Sequence, residues 1–295
     1  MKLAIIGAGK WGQALYHAYS QNNEVVINSR SEKKIENFVG LEEALSYKYL
    51  VLAIPAQAVR SWMEKNFEDR GQNILVAAKG IETSTGNFLN EVYGSFVGLD
   101  RLAFISGPSF ASEVQKSLPT ALKISSINET LAQIYADALP KFIKGYVDDD
   151  VIGAEVAGAY KNVIAIAGGV CDGLKLGNNA RAALISRGLV EMTRFGEHFG
   201  ARGETFLSLG GAGDLFLTAS SQLSRNYRVG LGLSQGKKLE EILEELGEVA
   251  EGIPTTKALF NIAQKEDIYL PIADEVYSML NGKSPLESVH DLLNE

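Results

Sequence analysis

Cysteine is almost missing from this chain: Cys171 stands alone among 295 residues. A single thiol builds neither a disulfide framework nor a thiolate metal site, and it suits a reducing compartment. Histidine is scarce too. His17, His198 and His290 are scattered, none at a metal-ligand spacing, so no metal site is expected. Basic residues are outnumbered, 28 Lys and Arg against 36 Asp and Glu, and the net charge of −8 argues against general affinity for nucleic acid or anionic lipid. Long hydrophobic runs are lacking as well: stretches such as Val163–Cys171 fall short of the ~18 residues of a membrane helix. No secretory signal precedes the strand-like Lys2–Ile6. The expectation is a cytoplasmic protein with no membrane and no nucleic-acid partner.

The chain is longer than one hydrophobic core usually serves, so two domains are expected. Its first half alternates strand and helix signals. Strand-like runs occur at Leu3–Ile6, Glu24–Asn28, Tyr49–Ile54, Asn73–Ala77, Arg101–Ser106 and Thr120–Ile124, with Phe142–Val147 as a further candidate. Helix patterns lie between them at Ser31–Phe38, with Ser31 as N-cap, at Gln57–Phe67 and at Glu129–Leu139. Continuously apolar strands alternating with helices imply an α/β domain whose parallel sheet is covered on both faces. After Val147 the strand signal fades. Asp148–Asp150 reads as a solvated helix N-terminus. The Gly- and Ala-rich stretch Val151–Val170 reads as a buried central helix, since small residues let helices approach closely. The division is therefore 1–147, an α/β domain, and 148–295, all helical.

Gly7-Ala8-Gly9-Lys10-Trp11-Gly12 follows the first strand and opens a helix. Such glycines permit a tight turn and close approach of backbone to a pyrophosphate, and the helix N-terminus adds N–H donors and a favourable dipole. Strand before, helix after and a second strand about 20 residues on give the pattern its proper context. The alternative is a glycine turn without a ligand. The second strand ends Asn28-Ser29-Arg30, where an NAD-specific site usually carries an acid. Asn28 and Ser29 can donate to a 2′-phosphate, and Arg30 can pair with it or stack on adenine, so NADP as well as NAD is expected. The plainer alternative, which the position disfavours, is that Arg30 is an ordinary exposed charge at a helix start.

If the dinucleotide delivers a hydride to a ketone, a proton donor is required beside the carbonyl oxygen. With no histidine suitably placed, lysine is next. Lys79 follows the fourth strand, at the carboxyl edge of the sheet where such folds bind ligands; it can also be an exposed loop charge. Lys161 lies inside the small-residue helix, where burial calls for a task or a partner unless the side chain snorkels outward. Gly107-Pro108-Ser109-Phe110-Ala111 occupies another sheet edge. Gly210–Asp214 brings a glycine turn to an acid, and Ser224-Arg225-Asn226 supplies good donors to phosphate oxygens. Asp214 as a helix N-cap and Ser224–Asn226 as a polar helix end are the plainer alternatives.

The ordered set GAGKWG, AAKGIE, GPSFA, AYKNVIAIAGG, GAGDL and SRN, spread over essentially the whole chain, resembles the prokaryotic-type glycerol-3-phosphate dehydrogenases. The resemblance implies a Rossmann domain followed by an all-α domain like the C-terminal domain of 6-phosphogluconate dehydrogenase. It implies NAD(P)H-dependent reduction of dihydroxyacetone phosphate to sn-glycerol 3-phosphate, feeding phospholipid synthesis. It implies Lys161 as proton acceptor and donor, and Lys79, Gly107, Ser109, Asp214, Ser224, Arg225 and Asn226 around the substrate. It implies Lys10, Trp11, Arg30, Lys79, Ala111, Arg225, Val249 and Glu251 around the dinucleotide, beside Gly7, Gly9 and Gly12 of the fingerprint. Lys10 departs from the family, which usually has a small hydroxyl residue there. Two competitors remain: a relative reducing another small acid such as ketopantoate, which the Ser224-Arg225-Asn226 donor cluster disfavours, and a nucleotide-sensing regulator, which the presence of both lysines disfavours. The oligomeric state is open, with a homodimer admissible.

Overall fold

A computed structural model describes residues 1–294. The chain forms two compact units: Met1–Lys79 with Leu89–Glu155, and Gly80–Phe88 with the chain from Val156 onward. The boundary thus falls inside a helix rather than at Val147, and the second unit takes a short excursion out of the first half. Physical ties explain the excursion. Ile81 bridges Phe88, Thr83 Oγ1 donates to Pro254 O at 3.1 Å, and the Phe88 ring packs against Phe195 and Phe199.

The first unit is built on seven strands: β1 (Lys2–Ile6), β2 (Glu24–Asn28), β3 (Tyr49–Leu52), β4 (Asn73–Val76), β5 (Leu102–Ser106), β6 (Thr120–Ser125) and β7 (Ile143–Asp148). Between them run α1 (Lys10–Tyr19), α2 (Leu41–Leu45), α3 (Val59–Asn66), α4 (Leu89–Gly94), α5 (Ala111–Val114) and α6 (Glu129–Asp137). The sheet order is β2-β1-β3-β4-β5-β6-β7. Strand residues alternate between two cores. Leu3, Ile5, Val25, Ile27, Val51 and Leu75 meet α1 and α6 on one face. Ala4, Ile6, Val26, Leu50, Leu52, Ile74 and Val76 meet α2, α3 and α4 on the other. Burial on both faces is why these strands read as unbroken apolar runs.

Three expectations need correcting here. The sheet is not wholly parallel: β6 runs antiparallel to β5, and β7 parallels β6. The β5–β6 link contains only the single turn of α5, whereas a parallel return is usually made by a longer helical crossover. Ser31–Phe38 is not a helix. Asn37 takes φ +55°, Phe38 bridges Ile27, and Ile27 N and Val39 N exchange bonds with Asn37 O and Ile27 O. The segment spends its backbone groups along the edge of β2 instead. The acidic triplet is not a merely solvated end. Asp148 ion-pairs with Lys123 of β6, and the buried Asp150 accepts from Gly153 N at 2.9 Å, capping the following helix.

That helix is α7 (Val151–Gly173). After it come α8 (Gly177–His198), α9 (Gly203–Phe206), a π-type turn (Leu209–Gly213), α10 (Asp214–Ala219), α11 (Arg225–Ser234), α12 (Leu239–Leu246), α13 (Gly252–Glu266), α14 (Pro271–Leu280) and α15 (Pro285–Asn294). Gly and Ala extend α7 beyond its unbroken apolar runs, making it long and apolar enough to cross a membrane, but 89% of its most apolar window is buried inside the protein. Its small residues are used as close crossings. A Cβ on Gly169 would lie 2.0 Å from Tyr227 O, and one on Gly230 1.9 Å from Ile166 O, so α7 and α11 meet backbone to backbone.

Candidate active site

In the first unit, β1 to β5 are parallel, so their carboxyl ends share one edge of the sheet. The fingerprint glycines lie there and do three different jobs. Gly7 has φ +109°, and a Cβ on it would strike Ala53 O at 2.4 Å. A Cβ on Gly12 would come within 1.7 Å of Gly7 O, so α1 is seated directly on the turn. Gly9, the N-cap of α1, has φ −70° and would meet nothing within 4 Å. Neither backbone conformation nor internal packing demands a glycine at that position. Its absent side chain leaves open the approach to a helix N-terminus that has no side-chain cap and no acid in its first turn. Lys10 at the first helical position opposes the helix dipole, an arrangement that an anion at this terminus would relieve. These features fit a dinucleotide pyrophosphate.

The end of β2 is tied to the same turn by Gly7 N donating to Asn28 O at 2.9 Å. Asn28 and Ser29 differ from expectation. Asn28 is buried, and its Nδ2 donates to Val39 O at 2.8 Å; Ser29 Oγ donates to Ser31 O at 2.6 Å. Both side chains are committed to the backbone of the returning segment, which leaves Arg30 exposed. Lys79, half-buried, follows β4 and precedes Gly80 at φ +147°. Gly107 follows β5 at φ +115°, and a Cβ there would press on Ala121 O at 3.0 Å. Ser109 Oγ donates to Gly107 O. Ala111 opens α5 and packs with Trp11 against the core on the α1 face of the sheet.

In the second unit, Lys161 of α7 is buried and does not snorkel. Its Nζ lies 2.5 Å from Asp214 Oδ1 and 3.1 Å from Thr218 Oγ1, and Thr218 Oγ1 donates to the same carboxylate oxygen at 3.2 Å. Asp214 is the first residue of α10, after the glycine-rich π-type turn. Its side chain faces Lys161 and compensates for the burial of the ammonium. Thr218, one helical turn further along α10, is the site residue that sequence reasoning missed; its signal was the i, i+4 spacing from Asp214. The adjacent Tyr160 donates to Glu191 Oε1 at 2.6 Å. Glu191 also accepts from Ile272 N and Ala273 N, so it caps α14. Burial raises its carboxyl above the usual range.

Ser224 is the N-cap of α11, its Oγ accepting from Tyr227 N at 3.2 Å. Arg225 and Asn226 form the first turn. Asn226 Oδ1 accepts from Gly252 N at 2.9 Å, which joins the N-terminus of α11 to that of α13. Arg225 lies 3.4 Å from Glu248, with 44% of its side chain exposed. Val249 is exposed, and Glu251 directly precedes α13.

Residues 34–132 match the family described as NAD-dependent glycerol-3-phosphate dehydrogenase N-terminus, and residues 150–291 match its C-terminus. An NAD(P)+ glycerol-3-phosphate dehydrogenase of Nitratiruptor sp. is 60% identical over 293 residues, covering 99% of this chain and 98% of the relative. One of Campylobacter jejuni is 55% identical over 295 residues, covering 100% and 99%. The crystal structure of glycerol-3-phosphate dehydrogenase from Coxiella burnetii superposes with a TM-score of 0.92 at 33% identity, over 100% of this chain and 99% of that one. By sequence along its whole length and by fold, this chain belongs to the NAD-dependent glycerol-3-phosphate dehydrogenase family.

Proposed function

We propose that the chain reduces dihydroxyacetone phosphate reversibly to sn-glycerol 3-phosphate with NAD(P)H, and that the product supplies phospholipid synthesis. The observation that carries this reading is the buried Lys161 held by Asp214 and Thr218, a lysine whose burial serves no packing purpose that an apolar residue would not serve better. The bound nicotinamide cofactor would supply the hydride to C2 of the ketone. Lys161 gives its proton to the alkoxide that develops at the carbonyl oxygen and takes it back in the reverse direction. Asp214 orients the ammonium and compensates for its charge, and Lys79 adds positive charge where the alkoxide forms.

The phosphate belongs with Ser224, Arg225 and Asn226. The N-terminus of α11 offers N–H groups and a favourable dipole, and Arg225 can grip two phosphate oxygens. Ser224 and Asn226 contribute through position as much as contact, since Ser224 caps the helix and Asn226 fixes Gly252. Gly107 and Ser109 shape the substrate side of β5. Gly7, Gly9, Lys10, Trp11, Gly12, Arg30, Lys79, Ala111, Arg225, Val249 and Glu251 are assigned to NAD or NADP. The same reading expects a soluble cytoplasmic enzyme with small-molecule partners only and a homodimer as its admissible assembly. The test is loss of NADPH absorbance with dihydroxyacetone phosphate and none with ketopantoate. Turnover of ketopantoate alone would overturn the substrate assignment, and turnover of neither would overturn the activity.

A further inference from the structure

We propose that Lys33 is the residue that selects a 2′-phosphorylated dinucleotide, by pairing its ammonium with the phosphate on the adenosine ribose. The inference rests on the NAD(P) reading above and goes beyond it, since Lys33 is not among the residues assigned there to the dinucleotide. The ribose of a dinucleotide on this fold sits between the glycine turn and the end of β2, where NAD-specific proteins place an acid on the 2′-hydroxyl. In this structure the two neutral donors at that strand end are spent: Asn28 on Val39 O and Ser29 on Ser31 O. Lys33 instead reaches across the gap, its Nζ donating to Ala8 O within the glycine turn at 2.7 Å.

The segment that carries Lys33 is pinned in place. It returns along β2 through Ile27 and Val39, and it is tied to α1 by Tyr16 Oη donating to Glu36 O at 2.7 Å. A helix over Ser31–Phe38 would not lay Asn37 and Val39 alongside Ile27 as this return does. The loop form therefore aims a cation at the fingerprint from the β2 side, where Arg30 also lies. A backbone carbonyl is a neutral partner for the ammonium, and a phosphate is a charged one. A 2′-phosphate forms an ion pair with the ammonium that a neutral 2′-hydroxyl cannot.

Lys33→Gln, which keeps length and polarity but removes charge, should weaken NADPH and adenosine 2′,5′-bisphosphate by about 10- to 100-fold, while NADH and 5′-AMP change by about twofold or less. Lys33→Arg should stay within a few-fold of wild type for all four ligands, and Lys33→Glu should favour NADH over NADPH. Calorimetric titration with the two adenosine nucleotides reads this without turnover, and steady-state KM values for the two reduced cofactors read it with turnover. Equal weakening of phosphorylated and unphosphorylated ligands would make Lys33 a brace for the glycine turn and overturn the proposal. Unchanged binding of all four would overturn it too. If the wild type fails to reduce dihydroxyacetone phosphate, the functional reading falls, but the nucleotide titrations still decide the role of Lys33.

Discussion

Lys161→Met removes the proton donor and one half of a buried ion pair, so it should cost both rate and stability. The two side chains are only 8% and 2% exposed, with Nζ 2.5 Å from Asp214 Oδ1. Deleting one partner of such a pair strands the other charge in a dry site, which typically costs about 3–5 kcal/mol. Thr218 still donates to Asp214 at 3.2 Å, which puts the expected loss at the lower end of that range. General acid–base catalysis contributes ~10²–10⁴-fold, so kcat should fall by at least that range. The two losses separate in Lys161→Met combined with Asp214→Asn. Neutralising the stranded carboxylate should recover most of the stability and none of the rate. Thermal unfolding reads the first, and NADPH oxidation with dihydroxyacetone phosphate reads the second. Quenching of Trp11, in the first turn of α1, checks that cofactor binding persists. A folded Lys161→Met enzyme that binds NADPH and turns over within a few-fold of wild type would refute the assignment. Recovery of the rate in the double variant would refute it equally.

Gly9→Ala should cost about 1 kcal/mol or less, the usual preference for glycine over alanine at an N-cap, because its Cβ meets open space, yet dinucleotide binding should fall as the methyl stands in the pyrophosphate approach. Gly12→Ala should instead destabilise the first unit by ~1–3 kcal/mol or more, through the 1.7 Å approach to Gly7 O; melts and NADPH titrations on the pair separate the two roles. Arg225→Ala should raise KM for dihydroxyacetone phosphate by ~1.5–3 kcal/mol equivalent and lower kcat, while the slow reaction with unphosphorylated dihydroxyacetone loses much less; equal losses on both substrates would remove the phosphate role. Arg30→Ala should weaken NADPH more than NADH in a KM comparison, and equal effects would leave Arg30 as an adenine contact only. Glu155 is buried, which pushes its carboxyl from 4.5 up to about 8, with Glu91 adding to the rise and the Asn90 and Leu89 N–H groups opposing it. The folded state therefore holds this proton more tightly than the unfolded chain, so stability should decline as pH rises from about 4.5 through about 8. Glu155→Gln should flatten that decline and melt higher than wild type above pH 8, with little difference near pH 4.5, as a pH series of thermal melts would show.

The periodicity and glycine spacing of the chain were enough to determine the elements that depend on neighbours in sequence. Strands β1 to β5 are visible as apolar runs, because a strand covered on both faces needs an apolar residue at nearly every position, whereas β7, in which only Ile143 is buried, is no more than a candidate in the sequence. The fingerprint turn is visible because the positive φ of Gly7 and the approach of Gly12 to Gly7 O are local, although Ala53 O, from the end of β3, also crowds Gly7. Lys161 stands out against its Ala- and Gly-rich helix, since burying an ammonium there is costly unless something distant compensates for it. What compensates for it, only the tertiary structure decided. Asp214 lies 53 residues away and reaches Nζ only once α7 and α10 have packed. Ser31–Phe38 shows the same physics in reverse: its local helix pattern loses to hydrogen bonds with Ile27 and to the Tyr16–Glu36 contact, so Lys33 arrives at the glycine turn and Asn28 and Ser29 are turned away from it. The reversal of β6 and the transfer of Gly80–Phe88 to the second unit are settled likewise, by strand pairing with β5 and β7 and by the packing of Phe88 on Phe195 and Phe199. Local sequence carries turn geometry and burial patterns because their causes are local. Charge compensation, strand direction and the fate of a short polar segment depend on groups far along the chain, and they exist only after folding has brought those groups within a few ångströms.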